Sequence, residues 1–278
     1  MKSSAIAFVI HPRRADAAET AERMKVGLEQ AGFSIFYPQQ GEARKDCHMV
    51  ITFGGDGTLL LGAKTALEHT CPLLGINLGT LGFLTEGEPD RLNQAIQAIS
   101  AGDYLLESRR MLCVCVNQEA KSYLALNDAV VTRGGFARLI QVETRVNQEH
   151  WSTFIADGVI AATPTGATGY SLSAGGPVIA PGVECMVITP VCAHSLQHCP
   201  CIVPTEAEVF FHLREGRDQL AQLQIDGQSM CTLQAGDTVK VTGAEESLQL
   251  VRFEDYHFFT VLDKKLNDWS RPREDQHL

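Results

Sequence analysis

Met49-Val50-Ile51-Thr52-Phe53-Gly54-Gly55-Asp56-Gly57-Thr58-Leu59-Leu60-Leu61 decides how the rest of the chain is read. Five apolar or β-branched residues make a strand, three glycines surround one aspartate, and an apolar helix begins at once. Strand, glycine turn and helix N-terminus together form an anion site. The glycines let the backbone approach phosphate oxygens, and the helix dipole favours negative charge. The plainer alternative is a tight strand-to-helix turn with Asp or Thr as N-cap, which does not call for three glycines around one Asp. No Lys-Ser/Thr pair follows the glycines, so this is not a Walker loop. Phosphate charge must then be met by a divalent cation, backbone amides and remote basic groups. Asp56 can hold that cation, directly or through water, or take the proton from an attacking hydroxyl. Both roles point to phosphoryl transfer from a nucleotide, and the loop alone leaves lipid, sugar and nucleotide kinases open.

Outward from this loop, the first hundred residues alternate between two periods. Ile6–Ile10, Phe33–Tyr37 and Leu73–Asn77 read as further strands. Ala18, Ala21, Met24, Leu28 and Ala31 follow at helical spacing with Gly32 as a stop, and further helices are expected over Thr58–Leu67 and Asp90–Ala101. This alternation predicts a parallel, three-layer α/β domain over residues 1–103. After Tyr104 the segments Met111–Val116, Ser122–Thr132, Leu139–Val146, Val209–Leu213, Ala221–Ile225 and Val239–Val241 are short and β-rich. Residues 104–254 are therefore expected to be mostly antiparallel β. Helical periodicity returns only at Asp255–Leu266, and the tail 255–278 is expected to rejoin the first domain.

The chain has 278 residues, 23 Lys+Arg and 33 Asp+Glu, a formal net charge of −10. At about 150 residues per domain this suits two modest domains. The acidic balance argues against a nucleic-acid backbone or an anionic membrane surface as main partner, since both need a basic face. A small anionic ligand held by backbone amides and a metal ion is not excluded. No apolar run approaches the roughly 18 residues of a membrane span, and Met1-Lys2-Ser3-Ser4 is wrongly built for a signal peptide. The nine cysteines form no compact framework, which favours reduced thiols in a cytoplasmic protein.

The second informative stretch is Asp157–Pro177, where a short strand enters a run of Gly, Ala, Ser and Thr. Small residues let backbone and hydroxyls line a flat ligand, and Tyr170 can offer a stacking face or a hydroxyl. The alternative is a structural Ω-loop. Here the chain resembles the NAD kinase family. Gly54-Gly55-Asp56-Gly57-Thr58, Gly75-Ile76-Asn77 with Leu81-Gly82-Phe83-Leu84, Leu126-Asn127-Asp128, the loop Asp157–Pro177 and the tail Phe258-Phe259…Lys264-Lys265-Leu266-Asn267-Asp268-Trp269 match the family's motifs in order. The glycine loop is shared with diacylglycerol and sphingosine kinases.

The resemblance implies a Rossmann- or flavodoxin-like parallel sheet followed by a β-rich NAD-binding domain. It implies transfer of the γ-phosphoryl of ATP to the 2′-hydroxyl of the adenosine ribose of NAD, with magnesium as the divalent metal, giving NADP. Asp56 becomes the proton acceptor or the residue organising the metal, with Gly54, Gly55, Gly57, Thr58 and Phe83 against the nucleotides. Asn127, Asp128 and Asp157 would hydrogen-bond NAD. Thr165, Thr168, Gly169, Tyr170, Ser171, Leu172 and Ser173 would line it, and Arg138 and Gln228 match further contact positions. A homodimer or homotetramer is implied as well. The chain departs from the family at Ala167 and Gly169, where Ser and Ala are usual, at Ala193 in place of Pro, and at Cys199 in place of Arg. No proposed catalytic group is lost. A lipid kinase would need a large apolar cleft, and a silent nucleotide sensor would bind NAD without turnover.

Other features carry plainer readings. Cys192, His194, His198, Cys199 and Cys201 match no standard zinc spacing. Cys113 and Cys115 share a strand face expected in the core. Arg109-Arg110 read as a solvated strand end, and Asp103 and Glu107 as surface charges.

Overall fold

The computed structural model describes residues 4–42, 44, 46–79, 82–135, 138–194, 199–215, 220–253 and 257–270, with side chains through 267. Met1, Lys2, Ser3, Leu81, His198, Asp255 and the side chains of Asp268 and Trp269, all cited above, lie outside this set. The chain divides into two compact units. One runs to Ser108 and resumes at Leu248, and the other covers Arg109–Ser247.

The first unit is built from β1 (Ala5–Ile10), α1 (Ala15–Gln30), β2 (Ser34–Phe36), β3 (Cys47–Gly54), α2 (Asp56–His69), β4 (Leu73–Asn77) and α3 (Leu92–Ala101). Its strands pair in parallel in the order β2-β1-β3-β4. Parallel neighbours need crossover connections, and the helices supply them. Ala17, Ala21, Met24 and Leu28 of α1 and Leu92, Ala95 and Ile99 of α3 bury against Ile6, Phe8, Ile51 and Phe53. Gly32 ends α1 at φ +93°, a backbone state that other residues resist. Register pairs Gly54 with Asn77 at the carboxyl ends of β3 and β4, the edge where open α/β sheets bind ligands.

The second unit uses β5 (Leu105–Val116), which enters it from the first, then β6 (Ser122–Ala125), β7 (Asp128–Arg133), β8 (Ile140–Val146), β9 (Glu149–Ala156) and β10 (Gly158–Ala162). After the one-turn helix α4 (Tyr170–Ser173) come β11 (Cys185–Val191), β12 (Cys201–Pro204), β13 (Val209–Leu213), β14 (Ala221–Ile225), β15 (Gln228–Leu233) and β16 (Thr238–Arg252). The far end of β16 returns to the first unit, where Leu250 pairs with Leu73, and α5 (Phe258–Ser270) follows. One sheet is antiparallel in the order β12-β11-β10-β7-β14-β15. Val159 and Ala161 of β10 join a core with Phe154, Phe211 and Val241, while Ile160 and Ala162 face Ala167, Ile179 and Val187. Burial on both faces explains why this strand is apolar without alternation.

Several expectations are corrected. Ser122–Thr132 is two strands, interrupted at Leu126-Asn127. The segment read as Val239–Val241 is part of a 15-residue strand, and α5 starts at Phe258. Arg109 is not a solvated strand end: it is buried and donates from Nη1 to Thr165 Oγ1 at 3.3 Å. Arg110 is exposed and pairs with Glu184. Glu107 is no free surface charge, because it binds Arg252. Cys113 and Cys115 are half-buried at the edge hairpin β5–β6.

Candidate active site

In the first unit, Gly55 is the N-cap of α2 and Asp56 its first residue, with no side chain capping the helix. The first-turn amides are thus presented at the positive end of the dipole. Gly54 and Gly82 are glycines for reasons of approach. A Cβ on Gly54 would lie 2.2 Å from Thr58 Oγ1, and one on Gly82 would lie 2.2 Å from both Asp56 Oδ1 and Thr85 Oγ1. The chain at Gly82 therefore runs hard against the Asp56 carboxylate. Phe83 N–H donates to Asp56 Oδ2 at 2.9 Å and Leu84 N–H to Oδ1 at 3.1 Å. These two amides fix the carboxylate while leaving its side chain 28% exposed.

The peptides that hold Asp56 are themselves held. Arg252, at the end of β16, donates to the carbonyls of Leu84 at 3.0 Å and Phe83 at 3.4 Å. Its guanidinium also meets Glu86 at 3.1 Å and Glu107 at 2.6 Å. Burial pushes the Glu86 carboxyl above the usual range, opposed by the Phe253 amide and by Arg252. Removing Arg252 alone would strand a buried charge, at a cost of about 3–5 kcal/mol. Beside these groups Thr58 Oγ1, Asn77 Oδ1 and Thr85 Oγ1 are buried without a hydrogen-bond partner among the described residues. Such groups need a ligand or water to satisfy them.

In the second unit, Asp226 organises the Asn127–Asp128 pair. Its carboxylate accepts from the amides of Leu126 at 2.9 Å, Asn127 at 2.7 Å and Asp128 at 3.1 Å. Three donors on one carboxylate explain the strand break there. The Asn127 side-chain oxygen is buried without a partner among the described residues. Burial first, and the Asp226 charge second, push the Asp128 carboxyl up to about 7.

The small-residue loop packs against the same pair. Thr163 N–H donates to Asn127 O at 2.9 Å and Thr163 Oγ1 to Leu126 O at 2.6 Å. A Cβ on Gly166 would fall 2.1 Å from Asn127 O, so only glycine allows this approach. Thr168 Oγ1 donates to Thr165 O, and buried Ser171 bonds Thr189 at 2.8 Å. Thr165, Thr168 and Ser171 thus spend their hydroxyls within the unit, Leu172 is half-buried, and Gly169, Tyr170 and Ser173 are exposed. Asp157 pairs with Arg133 at 2.5 Å beside a cavity of about 630 Å³ lined by Tyr170, Ser173 and Cys192. Arg138 and Gln228 are exposed. Arg133 and Asp226 were missed from sequence; the turn Asp226-Gly227, with φ of +48° and +77°, was the available signal. Arg252 gave none, because its partners lie more than a hundred residues away.

Among the described residues no three His, Cys, Asp or Glu side chains converge as a metal site. Asp56 is the carboxylate available on the glycine loop. That fits magnesium, which takes one or two carboxylates and completes its shell with phosphate oxygens and water.

The family models for the ATP-NAD kinase N-terminal and C-terminal domains match residues 39–104 and 126–253. An NAD kinase of Geobacter metallireducens is 37% identical over 96% of this chain and 98% of its own. One of Desulforamulus reducens is 34% identical over 95% and 98%. The fold is similar to yeast NADH kinase complexed with NADH, with TM-score 0.85 and 23% identity over 99% of this chain and 90% of that one. It is also similar to the Archaeoglobus fulgidus NAD kinase in complex with ATP, with TM-score 0.72 and 24% identity over 95% and 98%. With both half-domain models matched and curated relatives aligned nearly end to end, the chain belongs to the NAD kinase family.

Proposed function

We propose that the protein transfers the γ-phosphoryl group of ATP to the 2′-hydroxyl of the adenosine ribose of NAD, assisted by magnesium, and releases NADP and ADP. The observation that carries this reading is the Asp56 carboxylate, aimed by two backbone amides at the mouth of a glycine-flanked helix N-terminus. A base in that position accepts the hydroxyl proton as the oxygen attacks phosphorus. The amides of the Gly54–Thr58 turn favour the phosphate charge. Magnesium, when bound, neutralises charge on the phosphates, with Asp56 the residue to hold it.

The dinucleotide is assigned to the second unit. Asn127 and Asp128 suit ribose hydroxyls, and Tyr170 offers a face for stacking. Gly169 and Ser173 keep the approach to that face open. A lipid substrate is disfavoured by the chemistry of the larger cavity, about 690 Å³ in the first unit. Glu86, Glu88, Arg91, Asp103, Arg252 and Lys264 line it beside Leu105, Phe253 and Val261, and so many charged groups suit an acyl chain poorly. No helix of the described residues is long and apolar enough to cross a membrane. A cytoplasmic homodimer or homotetramer is the expected working form, checked by light scattering on the eluting protein.

The test is direct. Purified protein with ATP, magnesium and NAD yields NADP, and chelating the magnesium stops it. NAD binding without NADP formation would contradict the assignment and favour a nucleotide sensor.

A further inference from the structure

The glycine loop lacks the lysine that a Walker loop provides, and a chain of net charge −10 must supply cations locally. We propose that Lys265 of α5 is the missing cation: it binds the phosphates of the nucleoside triphosphate donor and stabilises the phosphoryl group in transfer. This rests on the reading of Asp56 as the proton acceptor.

Three observations converge on it. Lys265 Nζ lies 3.7 Å from Asp56 Oδ2, and its side chain is only 17% exposed. The same ammonium stands 4.3 Å from the centroid of the Phe83 ring, so it is fixed by an aromatic face as well as a charge. The ring is fixed in turn: Phe258 at the start of α5 packs on it with centroids 6.1 Å apart, and Arg252 holds the Phe83 carbonyl. Phe83 therefore serves two groups at once, its amide holding Asp56 and its ring holding Lys265.

Position then determines function. In the transfer, a bond forms between the ribose oxygen and the γ-phosphorus, and the bond from that phosphorus to the oxygen of the departing ADP breaks. The hydroxyl proton goes to Asp56. The hydroxyl must lie within about 3 Å of its base, so the phosphorus it attacks stays close to that same carboxylate. An ammonium 3.7 Å from the carboxylate is within reach of the equatorial phosphoryl oxygens. Lysine suits this role because its flexible stem lets one point charge turn from carboxylate to phosphate. Arg14, also at the carboxyl edge of the sheet, is already committed to Asp16 and to the Leu78 carbonyl.

The test compares wild type with Lys265→Ala, Lys265→Met and Lys265→Arg, reading NADP formation and, in parallel, calorimetric binding of a non-hydrolysable ATP analogue. Losing one preorganised charge on a transferring group costs about 100-fold in kcat/KM for ATP. The KM for NAD should stay within about twofold. Exogenous ethylammonium should restore part of the Lys265→Ala activity, and Lys265→Arg should retain more than Lys265→Met. A merely structural lysine would not be rescued by a soluble amine. Lys265→Met keeps the stem over Phe83, so it reports on charge even if Lys265→Ala folds poorly.

Unchanged kcat/KM for ATP, or a loss confined to NAD, overturns the proposal. Equal binding of the analogue with and without Lys265 overturns it whatever product forms. A wild type that binds the analogue through Lys265 yet makes no NADP contradicts the proposed function while supporting this assignment.

Discussion

The two small-residue loops look alike as strings and are built for opposite ends. At Gly54–Thr58 the missing Cβ of Gly54 makes room for Thr58, Gly82 runs against the Asp56 carboxylate, and that carboxylate stays partly exposed. Around Thr163–Gly176 the hydroxyls turn inward. Thr163 serves the Leu126 carbonyl, Thr168 serves Thr165, and Ser171 serves Thr189. The first loop aims a carboxylate, while the second is a packed floor carrying Asn127 on one side and exposing Tyr170. Composition alone cannot separate these uses; the partners of each hydroxyl do.

The largest effect among loop variants is expected at Gly82→Ala. The new methyl would displace Asp56, and a shift of about 1 Å can cost about 100-fold in kcat. Steady-state kinetics should find the loss in kcat, with the KM for NAD little changed. An active Gly82→Ala enzyme would break the contrast. Gly166→Ala meets backbone rather than a side chain, so it should act on the floor. A destabilisation of about 1–3 kcal/mol by denaturant titration is expected, together with a raised KM for NAD.

Asp128 sharpens the contrast through pH. Its folded-state pKa, near 7, lies above the ordinary carboxylate value of about 3.9. Its contribution to stability is therefore full below the unfolded pKa and is lost as pH rises through about 7. Asp128→Asn should flatten the melting profile between pH 4 and 8. The gain at the alkaline end should be on the order of 4 kcal/mol, and NAD affinity should fall. An unchanged profile would show that Asp128 does not titrate there. Ser171→Ala should have the smallest effect, about 1 kcal/mol of stability for one buried hydrogen bond. The KM for NAD should not move; a rise would make Ser171 a ligand contact rather than part of the floor.

Local chemistry was legible in the sequence. The β–α alternation, Gly32 as a helix stop and the glycines around Asp56 each depend on neighbours a few positions away. What escaped depends on distant partners. Glu107 read as a surface charge because its partner, Arg252, lies at the other end of the chain. The segment 122–132 read as one strand because its interruption is made by Asp226. Cys185–Val191 is a strand although it contains Pro190. It is tolerated because β12 pairs only with Cys185–Ile188, leaving Pro190 beyond its end. Lys265 was visible as part of a tail motif, but its role became legible only once the structure brought it beside Asp56.

The central claim, that chemistry belongs to the Asp56 carboxylate and dinucleotide binding to the second unit, is tested most directly by Asp56→Asn. NADP formation from ATP and NAD is followed with saturating substrates, and NAD binding is measured by calorimetry on the same preparation. NAD affinity should stay within about twofold of wild type and turnover should fall by about 10³-fold or more, the loss expected for a general base. NADP formation at the wild-type rate would contradict it.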